Sequence, residues 1–243
     1  RQLADSGVKE LIVIAQDITR YGMDLEEPSS LAQLLKGLCK LDFHRIRLHY
    51  LYPEVITDEL IDTMQAFDQM PLPAGGNTFL LTQAGGPGIY CTDAICAADS
   101  LTMPSVSEKT REKLTASQLP MANICHPEGY ADITASASVK NHVDGLRIVL
   151  EDENVDAAVL VTVVPTFLPQ EALAEGFVAL DHETPAEKKK PVYYCVMAGA
   201  YTTKARKIME RSGLCTFNTP EKAVKAAGNL CKYAMFRKRH GEE

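Results

Sequence analysis

The stretch Leu80-Leu81-Thr82-Gln83-Ala84-Gly85-Gly86-Pro87-Gly88-Ile89-Tyr90 reads as a strand, a glycine turn and the start of a helix. That arrangement is suited to holding an anion. Glycines let backbone N–H groups approach without a Cβ in the way, and a helix start adds about half a positive charge. A phosphate or a phosphorylated side chain is the ligand expected there, against Thr82, Gly85, Gly86, Gly88 and Ile89. Pro87 suits an early helical position, where its missing N–H costs nothing. No Lys-Ser/Thr pair follows, so the match to a full P-loop is partial, and an ordinary glycine-rich turn between strand and helix fits the same residues.

A second set of groups is His126, Glu128 and Asp132, beside Cys125. Together they have the types needed for acid/base or nucleophilic chemistry. They equally fit a structural loop in which Asp132 and Thr134 bond backbone groups. His142 and His182 fall on expected helices among charged residues and read as solvated. The seven cysteines, at 39, 91, 96, 125, 195, 215 and 231, are odd in number and scattered through apolar runs, as reduced thiols of a cytoplasmic protein would be. Neither a Cys-x2-Cys nor a Cys-His spacing occurs, so no metal site is expected.

These groups must be positioned by regular elements, and the pattern names them. Continuous apolar runs rich in β-branched and aromatic residues alternate with helical stretches, the signature of an α/β fold with a parallel sheet buried on both faces. Strands are expected over 11–15, 45–52, 78–82, 157–164, 192–198 and 215–217. Helices are expected over 30–41, 58–67, 89–99, 108–119, 139–151, 170–180, 202–212 and 220–236, with Ser29 and Thr57 as caps of the first two. The break Met70-Pro71-Leu72-Pro73-Ala74-Gly75-Gly76 divides a βαβα segment, residues 1–70, from residues 71–243. The second part, with four strands alternating with helices, has the pattern of a flavodoxin-like fold with helices on both faces of the sheet. The first is too small to complete a sheet or barrel alone.

A net charge of −7 argues against a nucleic-acid backbone as partner. The basic run Phe236-Arg237-Lys238-Arg239-His240 suits the negative end of the last helix. The longest apolar stretches, 11–15 and 157–164, fall far short of the roughly 20 residues of a membrane span. No secretory signal opens the chain, which starts at Arg1 without an initiator Met, as a cut end would.

The order of several motifs carries a resemblance. Pro71-Leu72-Pro73, Gly76-Asn77 and Thr82 to Gly88, with Asp93 following, resemble the C-terminal succinyl-CoA-ligase-like domain of nucleoside-diphosphate-forming acyl-CoA (acetyl-CoA) synthetases. The segment His126-Pro127-Glu128-Gly129-Tyr130-Ala131-Asp132-Ile133-Thr134-Ala135 is similar to that family's Asn-Pro-Val-Asp-Leu-Thr segment. Val155 to Ala158, Lys190-Pro191-Val192, Gly213 to Phe217 and Thr219 to Val224 match as well. The resemblance implies a ligase that forms acyl-CoA through an acyl phosphate and a phosphohistidine, with Gly85 to Gly88 as one of two helix starts cradling the phosphohistidine. CoA and ATP/ADP are implied for the complete enzyme, on CoA-binding and ATP-grasp domains or subunits, and the histidine on a sister domain in a Ser-His-Thr-Gly type segment. None of these is found in this sequence, so the chain is expected not to run the reaction alone.

Gly7 to Gly22, Arg45 to Pro53 and Thr57 to Asp62 resemble instead the radical-SAM, TIM-type barrel of ribosomal protein S12 methylthiotransferases. That family's Cys-x3-Cys-x2-Cys iron–sulfur segment lies upstream of the matching region, and Cys39 alone does not replace it. Gln16, Asp17, Thr19 and Arg20 fall at the strand end where barrel enzymes bind substrate, and read also as plain loop residues. A fusion, a chimera, a methylthiotransferase fragment and a non-catalytic assembly module all remain compatible with the two resemblances.

Overall fold

The computed structural model describes residues 1–25, 29–52, 58–239 and 241. The expected cap Thr57 and the end of the basic run, His240, lie outside them. Contacts divide the chain into two units, Arg1–Leu60 and Ile61–Glu243.

In the first unit, β1 (Glu10–Ile14) and β2 (Arg45–His49) pair in parallel, with Glu10 opposite Arg45 and Ile14 opposite His49. A four-residue helix α1 (Gln2–Asp5) precedes them, and α2 (Leu31–Leu38) lies between. Ser30, one residue after the expected cap, starts α2 through a reciprocal capping box with Gln33. Among the described residues of this unit, Ile18 and Phe43 are the buried large apolar side chains, while Ile12, Ile14, Tyr50 and Tyr52 are exposed. Asp17 accepts from Thr19 N–H at 3.0 Å and faces Arg20 at 3.8 Å, so the polar residues after β1 close a local turn.

The second unit is a six-stranded sheet. Its strands are β3 (Thr78–Thr82), β4 (Asn123–Ile124), β5 (Tyr130–Asp132), β6 (Ala157–Val163), β7 (Val192–Met197) and β8 (Thr216–Phe217). The spatial order is β4-β5-β3-β6-β7-β8, parallel except for β4. The two strands beyond the four expected are two and three residues long. Counting only the parallel strands in chain order gives 2-1-3-4-5, which reverses direction between β3 and β6.

Alternation along the strands sorts the core into two layers. Phe79, Leu81, Leu160 and Tyr194 join a cluster with α5 (Glu108–Ser117), α6 (Val139–Leu150), α7 (Gln170–Glu183) and α8 (Thr203–Arg211). Leu80, Val159 and Tyr193 face the other way, with α3 (Asp58–Gln69), α4 (Gly85–Ala97) and α9 (Pro220–Arg239). All five side chains of β3 are buried, as a strand covered on both sides requires. From Ile61 onward α3 belongs to this unit, where Phe67 stacks on Tyr233 with centroids 5.2 Å apart.

Candidate functional site

Helix α4 begins at Gly85, four residues before the expected start, so Gly85 to Gly88 form its first turn rather than a loop ahead of it. Thr82 causes this. Its hydroxyl donates to the Ala84 carbonyl and accepts from the Ala84 N–H, both at 3.0 Å, which fixes Ala84 as an extended cap residue. Pro87 then sits where no intrahelical donor is needed. Gly85, Gly86 and Gly88 all have negative φ, so a left-handed turn is not the reason for glycine here.

Space is the reason at Gly88. A Cβ there would lie 2.9 Å from the Thr82 methyl and 3.2 Å from the Tyr130 hydroxyl, so the helix start settles directly onto β3 and β5. A Cβ on Gly86 would meet nothing within 4 Å. The Gly88 N–H bonds the Ala84 carbonyl at 3.0 Å, and Ile89, a full turn in, bonds back to Gly85. Gly85 and Gly86 keep N–H groups that make no hydrogen bond among the described residues. Of the five residues assigned to the anion, these two offer free donors. Thr82 shapes the turn, Gly88 lets it approach, and the Ile89 side chain points to solvent.

Gly85 borders a cleft of about 490 Å³ lined also by Gln83, Asn123, Asp132, Thr134 and Val163 among others. Its walls are the C-terminal ends of β3, β5 and β6, where the strand order reverses, the place at which open α/β sheets take ligands. Asp132 stands opposite Thr82 in the register and reaches within 3.3 Å of the Cβ position of Gly85. Its other oxygen accepts from Thr134 N–H at 2.9 Å, and the Thr134 hydroxyl is buried without a partner.

The structure does not bring His126, Glu128 and Asp132 together. β4 and β5 form an antiparallel hairpin, with residues 125–129 at its tip and Asp132 at its other end. Glu128 binds Arg111 at 2.7 Å, and His126 is exposed, its carbonyl held by Asn123 at 2.7 Å. Cys125 is buried; burial pushes its thiol pKa up, more than Arg111 draws it down. His182 is exposed as expected, but His142 is not: it is 1 % exposed, facing the core with Leu146 and Val149. Burial lowers its pKa, against the Ser138 carbonyl 2.8 Å from Nδ1. Asn123, Gln83 and Val163 were missed as cleft residues. The sequence signal that could have found Gln83 and Val163 is their place at strand ends flanking the reversal of order.

Among the described residues no group of three His, Cys, Asp or Glu side chains could hold a metal, and no helix is long and apolar enough to cross a membrane.

The second unit thus defines a doubly wound α/β protein with a helix-start cleft at its switch point. No family model matches the chain. The alpha subunit of ADP-forming acetate–CoA ligase II from Pyrococcus furiosus is 36% identical over 180 residues, covering 73% of this chain and 38% of the relative. The crystal structure of PH0766 from Pyrococcus horikoshii OT3 superposes with a TM-score of 0.68 at 30% identity, over 78% of this chain and 41% of that one. The dinucleotide-forming acetyl-coenzyme A synthetase 1 of Ca. Korarchaeum cryptofilum, in complex with phosphate and ADP, shares the fold, with a TM-score of 0.70 at 23% identity over 88% of this chain and 43% of its own.

The chain is therefore homologous to part of an ADP-forming acetyl-CoA synthetase, and it spans well under half the length of these relatives. It also has a shorter similarity to ribosomal protein uS12 methylthiotransferase RimO. The Clostridioides difficile protein is 47% identical over 87 residues, 33% of this chain and 20% of that protein. The Alkaliphilus oremlandii protein is 52% identical over 71 residues, 29% of this chain and 16% of that protein.

Proposed function

We propose that residues 71–243 are the flavodoxin-like, phosphate-cradling domain of a nucleoside-diphosphate-forming acyl-CoA synthetase, with the first turn of α4 holding a phosphoryl group. The observation that carries the reading is the free N–H of Gly85, on the lining of the switch-point cleft, with the free N–H of Gly86 next to it in the first turn of α4. A helix start concentrates donors and partial positive charge, so the group it suits is an anion with several acceptor oxygens. Phosphoryl transfer asks a protein mainly for positioning and charge stabilisation, and this turn is built to supply both. The 36% identity to an ADP-forming ligase subunit supports phosphate over other anions. In this reading the phosphoryl group arrives on the phosphohistidine of a sister domain, while CoA and ATP/ADP occupy partner domains or subunits in the cytoplasm. Residues 1–70 are then a βαβα piece of a radical-SAM-like barrel, carrying no part of the ligase site.

Calorimetric titration of the full chain with inorganic phosphate tests the proposal. Saturable binding that is lost in Gly86→Val supports it. An absence of any phosphate affinity, with a tight protein partner retained, would favour a non-catalytic docking module instead.

A further inference from the structure

Beneath the cleft, three buried polar atoms have no hydrogen-bond partner among the described residues: Nε2 of His142, Oε1 of Gln118 and the hydroxyl of Thr162, in side chains 1 %, 8 % and 0 % exposed. They meet one layer of the core. His142 lies on the face of α6 that carries Leu146 and Val149, and Thr162 follows Ala158 and Leu160 on the same face of β6. Both sit at the cleft end of that layer, because Thr134, ahead of α6, and Val163, next after Thr162, line the cleft. Gln118 reaches them from the end of α5. Its Nε2 donates to the Asn141 carbonyl at 3.1 Å and stands 3.0 Å from the Cβ position of Gly145, so its amide lies along the turn of α6 that contains His142.

The fixed partners decide where the hydrogens are. A carbonyl can only accept, so Nδ1 of His142, 2.8 Å from the Ser138 carbonyl, carries the ring hydrogen. Burial lowers the pKa of this ring, which is therefore neutral near pH 7, and Nε2 is left as a bare acceptor. The Asn141 carbonyl holds the NH2 end of Gln118 in the same way, and Oε1 becomes a second bare acceptor. Two acceptors cannot satisfy each other, and the single O–H of Thr162 can serve only one of them. Buried polar groups are normally satisfied, so the layer calls for a small neutral group with two donors and an acceptor. Independently of the phosphoryl reading, we infer that one ordered water is built into this layer: it donates to His142 Nε2 and Gln118 Oε1 and accepts from the Thr162 hydroxyl. Three hydrogen bonds are about the usual complement of a buried water. The water then joins α5, α6 and β6 under the floor of the cleft.

A crystal structure of the full chain that resolves ordered solvent, together with a long-range proton–nitrogen correlation spectrum of its histidine rings, tests this. A solvent peak within about 3.2 Å of all three atoms is expected, with the His142 proton on Nδ1 and Nε2 at the shift of an unprotonated nitrogen. Direct bonding of the Thr162 hydroxyl to Nε2 with no solvent peak between α5, α6 and β6 would overturn the inference. So would a His142 ring protonated on Nε2, because that hydrogen could serve Gln118 Oε1 without any water.

Discussion

Two glycines one helical half-turn apart should respond oppositely to a side chain. In Gly86→Val the new Cβ enters open space, with no atom within 4 Å, and helix propensity gains a few tenths of a kcal/mol. The same atoms stand where an anion would approach the Gly85 and Gly86 N–H groups. Two charge-assisted bonds of about 2 kcal/mol each correspond to a phosphate Kd of about 1 mM, and loss of one weakens binding by about thirtyfold. In Gly88→Ala the Cβ lies 2.9 Å from the Thr82 methyl, and Thr82 cannot rotate away because both hydrogen bonds to Ala84 hold it. Overpacking of about 1–3 kcal/mol outweighs the propensity gain of about 1 kcal/mol, a net loss of up to about 2. Thermal unfolding and phosphate calorimetry on both variants read the contrast. Gly86→Val should melt within about 2 °C of the native chain and lose phosphate, while Gly88→Ala should melt several degrees lower. A Gly86→Val protein that melts much lower yet binds phosphate normally would refute the reasoning.

His142 should make stability fall below neutral pH. Its folded pKa lies below the unfolded value of about 6.5, so the unfolded chain binds the extra proton between the two, and stability is lost as pH drops through that window at up to about 1.4 kcal/mol per unit. Urea unfolding of native and His142→Phe proteins from pH 8 to 5 should show the native slope steeper by this amount; parallel curves would count against it. Asp152 is 3 % exposed; burial acts to raise its pKa, yet hydrogen bonds from Thr110, Ser107 and Asn154 hold it below the usual carboxylate value. Asp152→Ala strands the Ser107 and Asn154 N–H groups and should lower stability by about 2–4 kcal/mol, seen as a reduced urea midpoint. Cys39 and Cys96 are exposed, whereas Cys91, Cys125, Cys195, Cys215 and Cys231 are buried, with burial pushing Cys195 and Cys215 up to about 12. A disulfide reagent at pH 8 should therefore label two thiols quickly and all seven after denaturation. Rapid labelling of a third would contradict this packing.

The alternation of apolar runs and helices made β3, β6 and β7 readable, because strands buried on both faces carry long uninterrupted apolar stretches. β4 and β5 escaped notice since two and three residues are too few to show any period, and Gly129 and Pro127 beside them read as loop. The early start of α4 was hidden by its composition: three glycines and a proline have the lowest helix propensities, and a hydroxyl on the preceding strand overrides them. His142 was misjudged from its charged neighbours Lys140 and Asp144. The spacing His142, Leu146, Val149 was the better signal, since it places all three on one helical face. The glycine turn was legible as a site candidate, but its carboxylate wall was not, because Asp132 comes to it through strand pairing across fifty positions of sequence.

That pairing makes the sheet itself the ruler of the cleft. Thr82 and Asp132 face each other only in the register that sets Leu80 opposite Tyr130. A slip of β5 by one residue would turn both Tyr130 and Asp132 to the opposite face, under α6, and put Ala131 beneath the helix start. The Gly85 N–H and the Asp132 carboxylate thus meet across the cleft only after the strand has docked in this register. An anion that bound the assembled cleft would also favour the correctly registered sheet over its slipped competitors, since binding to the native state alone stabilises it.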